Sequence, residues 1–224
     1  MNLKTVIIVF ANSPKKELEH KPLLGGKKIF QELTKKTLCV VKSTGLPFFL
    51  FNEKKQRGDT FGERFTNAIE TIFDLGFENV IIIGNDTPQL KKHHLQKSVK
   101  HLQKGKMVLG PSRDGGFYLM GLCKLQFNPN AFLKLPWQSR RLIKSVTDYT
   151  KDTNINIERL PILYDIDTLE DLKAIIKFNL NLPKTLIKIL RNILGSFAVF
   201  LTFLFVPSYS TPEGSFYNKG SPVT

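Results

Sequence analysis

Cysteine is nearly absent from this 224-residue chain: only Cys39 and Cys123 occur, far apart and without CxxC or Cys/His spacing. That excludes a disulfide framework and a structural zinc site, and it fits a reducing compartment such as the cytoplasm. Acidic residues are also scarce, 19 against 33 lysines and arginines, for a net charge of +14. A balance this basic suits nucleic acid, an anionic membrane surface or phosphorylated substrates. The cations are spread along lysine-rich helices and are not interleaved with aromatics, so no specific nucleic-acid partner is expected. A long apolar run is missing from the amino terminus as well. The amino-terminal stretch TVIIVFA imitates a signal peptide but is too short, and it reads as a first strand.

What is present is enough for one α/β domain with a full core. The informative centre is residues 79–90, NVIIIGNDTPQL. Its β-branched run at 80–83 suits a strand buried on both faces of a parallel sheet. Gly84 ends the strand, and Asn85, Asp86, Thr87 and Pro88 follow as a polar turn. Ligands of open α/β sheets bind at the carboxyl ends of strands, which is where Asp86 falls. A carboxylate there is a plausible ligand for Mg²⁺ or Mn²⁺ carrying a diphosphate. A cap on the following helix explains Asp86 equally well.

The other elements follow from the same patterns. Strands are expected at 5–11, 46–51, 107–110 and 155–160, and helices at 30–41, from about 62 to 73, at 90–103 and from Pro136 to about Tyr149. Residues 12–16 read as a polar loop. Lys21, Gly25, Gly26, Lys27 and Lys28 read as a solvated linker in preference to a phosphate cradle. Gln56, Gly58, Asp59 and Thr60 lead into a helix whose free N–H groups suit an anion or a base edge; an ordinary capped start is the simpler account. His93, His94 and His101 sit on a solvated basic helix in preference to a zinc site. Asp114, Gly115 and Gly116 allow a close approach of backbone to ligand, or a plain hairpin turn into the apolar run that follows. Asp167 or Thr168 caps a last helix, which leaves Asp165 as the spare carboxylate.

Taken in order, these stretches resemble a known family. Gln56-x-Gly58-Asp59 with Gly62-Glu63-Arg64, Gly84-x-Asp86-x-Pro88, Gly110-Pro111 with residues 114–119, Pro136-Trp137, and Asp165-x-Asp167-Thr168 with Asp171-Leu172 match in order and spacing over about residues 3–178. They are similar to a domain-of-unknown-function family of glycosyltransferase-like proteins, some members of which are assigned to arsenosugar biosynthesis. The family belongs to the nucleotide-diphospho-sugar transferase superfamily. A more distant similarity runs to the guanylyltransferases of molybdenum-cofactor and phospholactate pathways. The resemblance implies a three-layer α/β/α glycosyltransferase A-type fold with a mixed, mostly parallel sheet over residues 1–180.

The resemblance also implies roles. Asp86, with Asp165 and Asp167, would hold a divalent metal, Mg²⁺ or Mn²⁺, and Asp86, Asp114 and Asp165 would be the catalytic carboxylates. Gln56, Gly58, Asp59, Gly84 and Asn85 would lie at the nucleotide, and Gly115, Gly116 and Tyr118 at the acceptor. The expected activity is sugar transfer from a nucleotide sugar to a small or lipid-borne acceptor, with nucleotidyl transfer from a triphosphate as the alternative and a catalytically silent nucleotide-binding scaffold at the membrane as the third. One departure stands out: family members carry Pro-x-x-Gly and then Lys-Thr-Arg-Leu after the first strand, and this chain does not. A triphosphate donor would need such a loop, so its absence favours glycosyl transfer or lost activity, with Lys15, Lys16 and Lys21 as substitutes.

Residues 181–224 form a basic-apolar tail. No charge interrupts residues 192–212, which include FAVFLTFLFV, while Lys184, Lys188 and Arg191 precede it. The apolar part is short of the roughly 20 residues that span a bilayer. An interfacial helix led by Leu186, Ile189, Leu190 and Ile193, on the cytoplasmic face of an anionic membrane, fits the length, as does a helix docked on the domain.

Overall fold

The computed structural model describes residues 5–21, 26–177, 182, 186–189, 191–192 and 195. Six strands form one sheet in the order β2-β1-β3-β5-β4-β6: β1 (Thr5–Phe10), β2 (Phe48–Phe51), β3 (Asn79–Ile83), β4 (Met107–Pro111), β5 (Phe117–Cys123) and β6 (Ile157–Arg159). β1 runs parallel to β2 and β3, and β4 to β6, while β5 is antiparallel to both its neighbours, β3 and β4. The sheet is thus mixed and mostly parallel.

Alternation along each strand builds the layers. Val6, Ile8, Val80, Ile82, Met120 and Leu122 face one side, where α3 (Phe61–Asp74), α5 (Pro129–Leu133) and α6 (Leu142–Asp152) cover them. Ile7, Val9, Ile81, Ile83 and Leu119 face the other, under α2 (Gly26–Lys42) and α4 (Lys92–Leu102). β1 pairs with β3 in the register Val6↔Val80 through Val9↔Ile83, and both faces of the two strands are apolar and buried. This is the α/β/α sandwich expected of the chain. A smaller cluster joins Ile29, Phe30 and Leu33 of α2 to Ile166, Ile175 of α7 (Leu169–Lys177) and Leu186.

Several local expectations are corrected. Residues 12–16 are not simply a loop: α1 (Pro14–His20) begins there, with the Ser13 hydroxyl accepting from Lys16 N–H at 3.4 Å. Ser-Pro is a good N-cap and first position, but a helix of 7 residues is too short to display a period. The helix expected from Pro136 begins only at Leu142, and α5, capped by Asn128, precedes it unforeseen. Thr168, not Asp167, caps α7. Its hydroxyl accepts from Asp171 N–H at 3.2 Å, and the Asp171 carboxylate accepts in return from Thr168 N–H at 2.8 Å. That reciprocal box leaves Asp167 free for other work.

Of the apolar tail, Leu186 is buried against the domain; Leu190, Ile193 and the FAVFLTFLFV run lie outside the described residues. Among the described residues no helix is long and apolar enough to cross a membrane.

Candidate functional site

Because five strands point the same way, the ends of β1, β2, β3, β4 and β6 open on one edge of the sheet, joined there by the start of β5. A cleft of about 880 Å³ runs along that edge. It is lined by Gln56 and Gly58 after β2, by Gly84, Asn85 and Asp86 after β3, and by Asp114, Gly116 and Tyr118 of the β4–β5 hairpin. Asp165 and Asp167, beyond β6, complete the floor. Four stretches separated in sequence therefore meet, at the place where α/β sheets bind ligands.

Two loops are stitched together to bring the carboxylates into range. The Asp86 carbonyl accepts from Ile166 N–H at 3.0 Å, Gln89 Oε1 accepts from Tyr164 N–H at 2.8 Å, and the Thr87 hydroxyl donates to Asp165. Thr87 and Gln89 escaped the sequence reading because their role depends on a partner loop some 75 residues away. Gly84 contributes by having no side chain: a Cβ there would stand 2.9 Å from Asp86 Oδ1. Burial raises the Asp165 carboxyl well above its ordinary range, and the neighbouring charges of Asp86, Asp114 and Asp167 push the same way. Asp167 is raised as well, by burial first, against the lowering effect of Lys21.

Lys21 is the residue that the sequence reading undervalued. α1 ends beside the cleft and delivers its Nζ 2.8 Å from Asp86 Oδ2, in an ion pair with Asp167 and 3.7 Å from Glu17 Oε2. Burial alone would lower the ammonium's pKa, but Asp86, Asp167 and Glu17 outweigh it and hold Lys21 charged far above neutral pH. Lys16 and His20 of the same helix also line the cleft. Ser13 anchors α1, its N–H and hydroxyl each donating to the Glu53 carboxylate at 2.7 Å.

The remaining expected residues divide. Gln56 spends its amide N–H on the Phe51 carbonyl at 2.9 Å, which leaves its oxygen for the cleft. Asn85 is buried and donates to Thr34 at 2.8 Å. Asp59 lies outside the cleft wall, where its main chain serves the start of α3 through Glu63 and Arg64. Gly115 is also off the wall: at φ +96° it turns the hairpin, while Asp114 accepts from Gly116 N–H at 3.0 Å and from the Ser112 hydroxyl at 2.6 Å. The Tyr118 ring packs over Gly110, and its hydroxyl donates to the Pro161 carbonyl at 3.1 Å. The His94 ring accepts from Lys91 N–H at 3.1 Å, and His101 faces Glu158 at 3.5 Å.

The donor chemistry of Asp86, Asp165 and Asp167 suits a hard divalent cation, and their mutual repulsion calls for positive charge. As arranged, however, Asp86 and Asp167 close on the Lys21 ammonium. Among the described residues no group of three or more His, Cys, Asp or Glu side chains is placed to hold a metal ion. A metal at these carboxylates would have to displace Lys21 and draw the three side chains together.

Comparison with known proteins agrees with the resemblance read from the motifs. The model of the family described as "Uncharacterized protein conserved in bacteria (DUF2064)" matches residues 50–139. The 2-phospho-L-lactate guanylyltransferase of Methanocaldococcus vulcanius is 30% identical over 145 residues, which is 61% of this chain and 63% of that protein. The match thus spans less than two thirds of the relative's length. A crystal structure described as a candidate nucleotide-diphospho-sugar transferase from Desulfovibrio desulfuricans G20 superposes with a TM-score of 0.71 at 21% identity, covering 85% of this chain and 98% of the other. The 4-diphosphocytidyl-2C-methyl-D-erythritol synthase of Anaerococcus prevotii gives 0.52 at 12% identity, covering 79% and 96%. The chain therefore carries the DUF2064 signature over residues 50–139, on the fold of the nucleotide-diphospho-sugar transferases.

Proposed function

We propose that the protein is a nucleotidyltransferase: it joins the α-phosphate of a nucleoside triphosphate to an oxyanion of a small phosphorylated acceptor and releases pyrophosphate. The observation that carries this reading is the position of α1. The missing glycine-rich loop argued against a triphosphate donor, yet Lys16, His20 and Lys21 line the cleft where such a loop would act. The guanylyltransferase relative supports the same choice over glycosyl transfer, which the motifs alone put first.

In this reading the donor's phosphates lie between α1 and the Gly84–Asp86 turn, with the base toward Gln56 and Gly58. Lys21 leaves Asp86 and Asp167 to meet the phosphates, since a triphosphate presents more negative charge than the pair it replaces. Asp86, Asp165 and Asp167 would then be the residues to hold Mg²⁺ or Mn²⁺, which would neutralise charge building on the departing pyrophosphate. The acceptor oxygen attacks the α-phosphorus, and the bond to the β-phosphate's bridging oxygen breaks. The acceptor must therefore approach the α-phosphorus from the side opposite the departing pyrophosphate, the in-line positioning such a displacement needs.

The test is pyrophosphate release with GTP, ATP, CTP and UTP in turn, each with Mg²⁺ and 2-phospho-L-lactate. One triphosphate should be consumed, and Asp86→Asn should reduce turnover by about 100-fold or more, the scale of losing electrostatic stabilisation of a leaving group. Turnover of a nucleotide sugar with no pyrophosphate from any triphosphate would return the case to glycosyl transfer. Binding without turnover of either donor would leave the silent scaffold.

A further inference from the structure

The Pro136-Trp137 motif does nothing in the reaction as described so far, yet the segment that follows it is held unusually firmly. The Trp137 indole N–H donates to the Phe132 carbonyl at 2.7 Å. Its ring packs against Phe65, Phe61 and Phe117 with centroids 4.7, 5.5 and 6.1 Å away. It fills the space over Gly62, where an added Cβ would stand 2.5 Å from the ring. Gln138 then takes a left-handed conformation, φ 57°, that non-glycine residues avoid. Ser139 fixes the next turn through its hydroxyl, which donates to the Pro136 carbonyl at 2.7 Å.

What this construction presents is Arg140. Arg140 lines the cleft beside the β4–β5 hairpin. Its backbone lies against Gly115, whose added Cβ would come within 3.1 Å of the Arg140 Cα. The other cations on the cleft wall are differently placed. Lys21 pairs with Asp86 and Asp167, Lys16 with Glu19, and Arg64 donates to the Asp59 carbonyl at 2.8 Å. Arg140 is bonded to none of the described residues. An arginine on a cleft wall, unspent on the described residues and set by a rigid loop, is suited to forked recognition of a carboxylate or phosphate.

We propose that Arg140 binds the anionic group of the acceptor, with Gln138 and Ser139 as its neighbours in the site, so that residues 136–140 set acceptor specificity. This rests on the nucleotidyl-transfer reading for what the anion is used for, but not for its binding. Trp137, the only tryptophan in the chain, is a built-in reporter three residues away. The full-length protein is titrated with 2-phospho-L-lactate, L-lactate and inorganic phosphate, followed by Trp137 fluorescence and calorimetry. Saturable binding of at least one of them is expected, at least 10-fold weaker in Arg140→Gln and less weakened in Arg140→Lys. The thermal shift given by GTP should be unchanged in both variants. The lactate and phosphate arms tell whether the carboxylate or the phosphate is the group bound. No binding of any of the three, equal affinity in Arg140→Gln, or a parallel loss of the GTP shift would overturn the proposal. Arginine-dependent anion binding without pyrophosphate release from any triphosphate would leave it standing and remove the nucleotidyl-transfer reading alone.

Discussion

Lys21 Nζ and Asp86 Oδ2 are 2.8 Å apart although their residues come from a helix after the first strand and a turn after the third. The ammonium also pairs with Asp167, so one cation occupies the carboxylate cluster that a divalent ion would need. Lys21→Met removes the competitor and leaves the negative charge unmet. In the absence of nucleotide this variant should bind Mn²⁺ several-fold more tightly than the wild type, read by the loss of free Mn²⁺ signal in electron paramagnetic resonance. Its affinity for a triphosphate, by contrast, should fall. Equal Mn²⁺ affinity in the two proteins would rule out competition.

Asp165 gives a pH-dependent test. Its folded-state pKa lies above the unfolded value, so between the two the folded protein holds a proton that the unfolded chain has lost. Stability therefore falls as pH rises out of the ordinary carboxylate range through the raised folded pKa, and below the unfolded value the penalty is absent. Asp165→Asn keeps an oxygen to accept from the Thr87 hydroxyl and carries no charge. It should be more stable than the wild type at pH 7.5 by about 1–3 kcal/mol, the scale of a buried polar group without its full partners. The difference should shrink toward pH 4 in urea unfolding. A pH-independent difference would show that Asp165 is not strained by its charge.

The sheet could be read from the chain because buried β-branched runs such as 80–83 have few other uses, and Gly84 and Pro88 marked where the strand had to stop. The carboxylates could be read for the same reason: a polar turn after a buried strand has a fixed address. Asp167 and Thr168 were both candidates for the helix cap because Asp-Thr offers two capping residues in a row, and only the Thr168–Asp171 pairing settles that Thr168 serves. Lys21 could be named only as one of three lysines that substitute for the missing loop, since α1 is too short to show a period and it takes the Ser13–Glu53 contact to pin the helix. Asp59 looked like a ligand-binding residue for the opposite reason. A capped helix start and an anion site use the same residues: here Thr60 is the cap, and the Asp59 main chain joins it by donating to Glu63.

His94 should set the acid limit of α4. Burial pushes its imidazole down to about 4, helped by the charges of His93, Lys91 and Lys36, and Nδ1 accepts from Lys91 N–H. The folded pKa is below the unfolded value of 6.5, so the unfolded chain takes up the proton first. This contribution to stability is intact above pH 6.5 and is lost progressively as pH falls toward 4. His94→Gln keeps an acceptor at the third helical position without titrating. Its unfolding free energy should fall less steeply over that interval than the wild type's, by on the order of 2 kcal/mol across the window. Parallel curves would show that His94 titrates normally.

Gly62 and Trp137 test whether the loop after α5 is held as tightly as its contacts imply. Gly62 is inside α3, where alanine is the better helix former, so local propensity alone predicts that Gly62→Ala stabilises by up to about 1 kcal/mol. The packing predicts the reverse. A methyl group there would lie 2.5 Å from Trp137 Cδ1 and 2.8 Å from Nε1, and the ring cannot retreat without giving up its bond to Phe132 and its contact with Phe65. Overpacking of this kind costs about 1–3 kcal/mol, which outweighs the propensity gain. Gly62→Ala should therefore lower the melting temperature and shift the Trp137 emission. Trp137→Phe, with a smaller ring, should make room. In the double variant the cost of Gly62→Ala should largely vanish, a coupling that circular dichroism can measure without the tryptophan. Additive effects would mean that the two residues do not meet, and the rigid mounting of Arg140 would lose its main support.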